Sequence, residues 1–124
     1  MSVLAGHAQV ADAPISHDAR PVKPPVPSYP FLASLFGMNG YCEVRFDVDE
    51  RGYSFNHFTS CTDYIFCFQS KKAVADVLFE PAMDNGEPRI RRDVLYPLEY
   101  LIEDIEPGFV DRTRLKPCRK VPIA

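Results

Sequence analysis

The chain has 124 residues, 46% of them hydrophobic and 25% charged, with a formal net charge of −3. That length holds one domain, and the composition is ordinary for a soluble globular protein. The small negative charge argues against a general nucleic-acid binder, and no apolar run reaches the roughly 18 residues needed to span a membrane.

Nine of the twelve prolines fall toward the two ends, which leaves a foldable part of about 80 residues. Residues 1–27 read as a flexible Pro-rich segment. Met1–Ala13 ends in Ala11-Asp12-Ala13, the form of a signal-cleavage site, but it lacks a basic start and a full apolar core and reads as a tail. Arg20–Pro27 predicts extended polyproline II: a stiff spacer, a ligand for another domain, or a plain linker. Ser28-Tyr29-Pro30 opens a short helix. Ser28 is its expected cap, Tyr29, Leu32, Ala33 and Phe36 form its apolar face, and Gly37 ends it.

The chain is organised around Tyr41–Ser60. Cys42, Val44, Phe46 and Val48 alternate with Tyr41, Glu43, Arg45 and Asp47, which predicts a strand with one apolar face. Asp49-Glu50-Arg51-Gly52 supplies a turn, and Tyr53–Ser60 a second, less regular strand. A second helix is expected over residues 64–79, capped by Thr62 or Asp63, with Phe66, Ser70, Ala73, Val74, Val77 and Leu78 on one face. Pro81 stops it and Asp84-Asn85-Gly86 turns the chain. The third strand is expected from Arg89 to Ile102, with Pro97 placing it at a sheet edge. These elements predict an α+β, two-layer domain of topology α-β-β-α-β. Its three-stranded sheet has order 2-1-3, covered on one face by two helices. The domain is expected at 28–102, and 103–124 as a C-terminal extension that ends basic.

Four cysteines, Cys42, Cys61, Cys67 and Cys118, allow three pairings, and no C-x-x-C pair occurs. Cys61 and Cys67 are expected to form a disulfide, being close in sequence at the end of one element and the start of the next, with Cys42 a buried free thiol. Scattered histidines argue against a zinc site, and no catalytic motif occurs, so no enzyme activity, cofactor or metal is expected. Asp47 and Asp49 share a strand face and read as solubilising charges beside a turn.

The order of these pieces resembles the C-terminal domain of the TonB family. The pieces are Tyr29-Pro30 followed by Ala33 and Gly37, then Gly40 leading into Val44-Arg45-Phe46-Asp47-Val48-Asp49, then Gly52 and Ser60. Phe66, Ala73-Val74, Phe79-Glu80-Pro81-Ala82, Gly86-Glu87-Pro88, Pro97 and Tyr100 follow, so the likeness covers residues 22–102. Cys67, Ser70 and Val77 stand where the family usually has aspartate, alanine and tryptophan. The resemblance implies a periplasmic, non-enzymatic domain that grips an extended segment of an outer-membrane transporter or other envelope protein, with no nucleic acid and no membrane span of its own. Strand addition is expected at the edge formed by Arg89, Ile90, Arg91, Arg92, Asp93, Val94 and Leu95. The arginines there equally suit charges that blunt an edge against aggregation. The alternative function is a structural or assembly subunit of an envelope complex, or a homodimer.

Overall fold

A computed structural model describes residues 16–102 and 110–119. The strands in chain order are β1 (Arg20–Pro21), β2 (Gly40–Val48), β3 (Ser54–Cys61), β4 (Phe79–Glu80), β5 (Ala82–Asp84), β6 (Glu87–Arg89), β7 (Arg91–Tyr100) and β8 (Lys116–Pro117). The helices are α1 (Phe31–Leu35) and α2 (Cys67–Ala75), the latter entered through a 3-10 turn at Tyr64–Phe66.

The expectation of a three-stranded sheet under two helices is overturned. Among the described residues strand outweighs helix, 43% against 18%. The main sheet has four antiparallel strands in the order β7-β2-β3-β8, and β1-β4 and β5-β6 form two small sheets beside it. Three local causes add strands that periodicity does not reveal. Asn85 and Gly86 both take positive φ, the geometry of a tight hairpin turn, and fold β5 onto β6. The segment from Ser16 to Pro27, expected to be part of a flexible Pro-rich segment, is docked. His17 bridges Met83, β1 pairs with β4, and the Val22 amide donates to the Leu78 carbonyl at 2.9 Å. The C-terminal extension supplies β8, which lies antiparallel along the outer side of β3.

Both helices are shorter than their patterns suggest. α1 has five residues and begins after Pro30, with no side-chain cap from Ser28. Only Ala33 of its expected apolar face is fully buried, and Leu32 and Phe36 stand exposed. Gly37 (φ 65) closes it with paired bonds, Met38 amide to Ala33 carbonyl and Gly37 amide to Ser34 carbonyl. The Asp63 carboxylate takes the Ile65 amide at 3.0 Å and starts the second helical unit. That unit ends at Ala75 because Leu78 and Phe79 are taken by Tyr53, Gly52 and β1.

The core lies between the sheet and α2. It holds Cys42, Val44, Phe46 and Val48 of β2 with Cys61, Phe66, Val74, Phe79, Leu98 and Tyr100. Phe66 stacks on Tyr100 at 4.5 Å, Tyr29 meets both rings edge-on, and the buried Ser70 hydroxyl bonds the Tyr100 hydroxyl at 2.7 Å. Gly52 (φ 95) closes the first hairpin where a Cβ would lie 2.0 Å from the Phe79 carbonyl oxygen, so the turn and β4 approach only through a glycine.

Candidate functional site

Two places have chemistry to offer: the outer edge of β7, and a cleft beside the disulfides. The direction of the β7 backbone follows from one bond. The Thr62 amide donates to the Tyr41 carbonyl, so Tyr41, Glu43 and Arg45 turn their backbone groups toward β3. Cys42, Val44 and Phe46 then face β7, and their partners Leu98, Tyr96 and Val94 face back. Leu95, Pro97 and Glu99 therefore point their backbone groups outward. Pro97 lacks an N–H on that open side, where the ladder to β2 loses nothing. The same parity puts the missing N–H of Pro117 on the outer side of β8, opposite Ser60.

The segment expected to be the working edge is irregular. Arg89 belongs to β6 and pairs with Ala82, and Ile90 sits between strands. Asp93 takes positive φ (58) in a bulge, and its amide donates to Asp47 at 2.9 Å. Arg91 is paired with Asp18, Arg92 with Asp47, and Asp93 with Arg45. Of the seven, Val94 and Leu95 pair with β2 on one side of the bulge and Arg91 pairs with Val48 on the other.

Asp47 emerges as an organiser instead of a solubilising charge. β3 bulges on one side of it and β7 on the other, at Asn56 (φ 54) and Asp93. Its carboxylate accepts from the Asp93 amide, from Asn56 Nδ2 at 3.1 Å and from Arg92 at 3.2 Å. These donors, the Asp93 amide first, hold its pKa below the usual carboxylate range. Asp49 likewise accepts the Arg51 and Tyr53 amides, each at 2.9 Å, and fastens the turn.

The cysteines pair differently from expectation: Cys42 with Cys61, and Cys67 with Cys118. Cys42 is therefore not a free thiol. It lies directly opposite Cys61 in a close, non-hydrogen-bonded strand pair, with Cα atoms 4.1 Å apart, and both residues are fully buried. Two disulfides are compatible with an oxidising, extracytoplasmic compartment. No helix among the described residues is long and apolar enough to cross a membrane.

The Cys67–Cys118 bridge forms part of the wall of a cleft of about 290 Å³, shared with His57, Phe58, Thr59, Phe68, Lys71 and Arg119. The sulfurs of Cys61, Cys67 and Cys118 lie within 4.8 Å of one another, but oxidised sulfurs lack the thiolate a metal ion requires. Thr59 is 5% exposed and its Oγ1 has no partner among the described residues. His57 stacks on Phe46 and bonds Ser54 Oγ at 2.8 Å. Burial, then the charge of Lys71, holds its pKa below the usual histidine value. This cleft leaves one legible signal in the sequence, an arginine, Arg119, beside Cys118 in the tail. Comparison with protein-family models and with curated proteins finds no match for the chain.

Proposed function

We propose that this chain is a non-enzymatic periplasmic module that holds an extended partner segment by adding it to the outer edge of β7. The observation that carries the reading is the outward set of backbone groups at Leu95, Pro97 and Glu99, on a strand whose one neighbour among the described residues is β2. The available ladder is short. It offers two donors, at Leu95 and Glu99, and three carbonyl acceptors, with a gap at Pro97. Such a ladder gives weak, reversible binding and fixes the register of the guest, whose carbonyl opposite Pro97 goes unpaired. The binding edge thus sits nearer the end of β7 than Arg89–Leu95, because the bulge at Asp93 has already spent that amide.

The resemblance to the TonB family supports this reading, since that family pairs its last strand with a transporter segment. The two disulfides support the compartment. The alternative, a structural subunit closed by edge-to-edge dimerisation, is disfavoured by Pro97, because a β7–β7 pair would lose a donor on both strands.

Titration with an extended peptide of alternating threonine and valine, acidic at its ends, tests the proposal. Leu95→Pro removes an outward donor and leaves the inward ladder to β2 intact, so the variant stays folded and loses binding. Equal affinity for wild type and Leu95→Pro would overturn strand addition at β7.

A further inference from the structure

The two disulfides meet. One is sealed in the core and the other opens to the cleft, and three of their four sulfurs fall within 4.8 Å of one another. We propose that Cys61, Cys67 and Cys118 form a thiol–disulfide exchange centre, through which a small anionic thiol in the cleft moves the buried bridge from Cys42–Cys61 to Cys61–Cys67.

The steps balance without any external oxidant. The thiolate of the small molecule attacks Cys118 Sγ. A mixed disulfide forms at Cys118, the Cys67–Cys118 bond breaks, and its electron pair leaves on Cys67. Cys67 is the better leaving group because it opens α2, where the helix N-terminus and Lys71 of the same cleft stabilise a thiolate. The Cys67 thiolate then attacks Cys61 Sγ. A Cys61–Cys67 bond forms, the Cys42–Cys61 bond breaks, and Cys42 leaves as thiolate and takes up the proton that the small thiol lost. Two disulfides are present before and after, one of them now mixed.

The surroundings are built for each participant. Lys71 and Arg119 favour an anionic thiol over a cationic one. Thr59 lines the same cleft, and its buried Oγ1 has no partner among the described residues. The displaced Cys42 thiol already has an acceptor, since its sulfur lies 3.9 Å from the Phe66 carbonyl oxygen. The first step also removes the covalent tie between β8 and α2, leaving β8 held to β3 by two residue pairs and the 2.7 Å bond from the Cys118 amide to the Thr59 carbonyl.

The test treats the oxidised protein with one equivalent of 3-mercaptopropionate, quenches with acid, blocks free thiols in denaturant and maps the unreduced peptides. The expected product carries the small thiol on Cys118, a Cys61–Cys67 bond and the blocking group on Cys42. Cationic cysteamine should react at least about tenfold more slowly. Retention of Cys42–Cys61 with the block on Cys67 alone would overturn the transfer, and no reaction would overturn the centre altogether. Cys118→Ser gives a second reading free of added thiol. Incubated folded at mildly alkaline pH, it should show the free thiol divided between Cys67 and Cys42. A free thiol confined to Cys67 overturns the proposal.

Discussion

Asp47→Ala tests whether one carboxylate holds two bulges in place. The side chain is 14% accessible, and three donors converge on its carboxylate. The Asp93 amide bond at 2.9 Å is the chief loss, because it supports a non-glycine residue at φ 58. A hydrogen bond to a charged group contributes about 1.5–3 kcal/mol. The Arg92 pair adds little, since Arg92 is 66% exposed. The expected cost is about 2–3 kcal/mol, a large share of the stability of so small a domain. Urea unfolding at neutral pH should show a lower midpoint with an unchanged slope. The pH dependence has a definite sign. A carboxylate with a depressed folded pKa contributes stability above its unfolded value of about 3.9, and that contribution is lost as pH falls through the folded pKa. The gap between wild type and Asp47→Asn should therefore be full at neutral pH and shrink in acid. A cost under about 0.5 kcal/mol for Asp47→Ala, or a gap independent of pH, would refute the organising role.

Gly52→Ala should destabilise by more than about 1 kcal/mol, because φ 95 excludes a Cβ and the Phe79 carbonyl occupies its place at 2.0 Å; an unchanged melting temperature would contradict the close approach of turn and β4. Replacing Cys67 and Cys118 together by serine opens a bridge of sequence separation 51. On chain-entropy grounds that costs about 4 kcal/mol, against about 3 for the shorter Cys42–Cys61 loop, and chemical unfolding of the pair of variants measures both. Phe46→Ala should cost about 3–5 kcal/mol, since the ring is 1% exposed and packs on Phe79 at 5.2 Å; a calorimetric melt close to wild type would mean the ring is not in the core.

The alternation of β2 was legible, as were Phe66, Ser70 and Val74 of the expected helical stripe, because each set faces one core; Leu78 of that stripe lies beyond α2 and is exposed. The disulfides were illegible for a specific reason. Val48 lies opposite Ser54, so an unbroken hairpin would place Cys42 opposite Ser60. The bulge at Asn56 adds one residue, and Cys61 arrives there instead. Asn56 is a residue type that tolerates positive φ, but nothing in its neighbours marks it as a bulge. Asn85-Gly86 is the strongest short hairpin signal in the chain, yet arms of three residues, one containing Pro88, show no strand pattern of their own. β1, β4 and β8 have two residues each, too few for any periodicity, and long-range pairing alone makes them strands. Pro97 did announce an edge. What the sequence could not show was the direction of its missing N–H, which depends on register with β2.

An open β7 edge is the premise of partner binding, and residue-resolved native-state hydrogen exchange tests it most directly. The amides of Val94, Tyr96, Leu98 and Tyr100 face β2 and should exchange slowly. Those of Leu95 and Glu99 face outward and should exchange at rates near those of exposed loops, until an added strand peptide slows both together. Alternating fast and slow amides along β7 is the predicted result. Strong protection of Leu95 and Glu99 in the free protein would show that the edge is already occupied, and would contradict binding there.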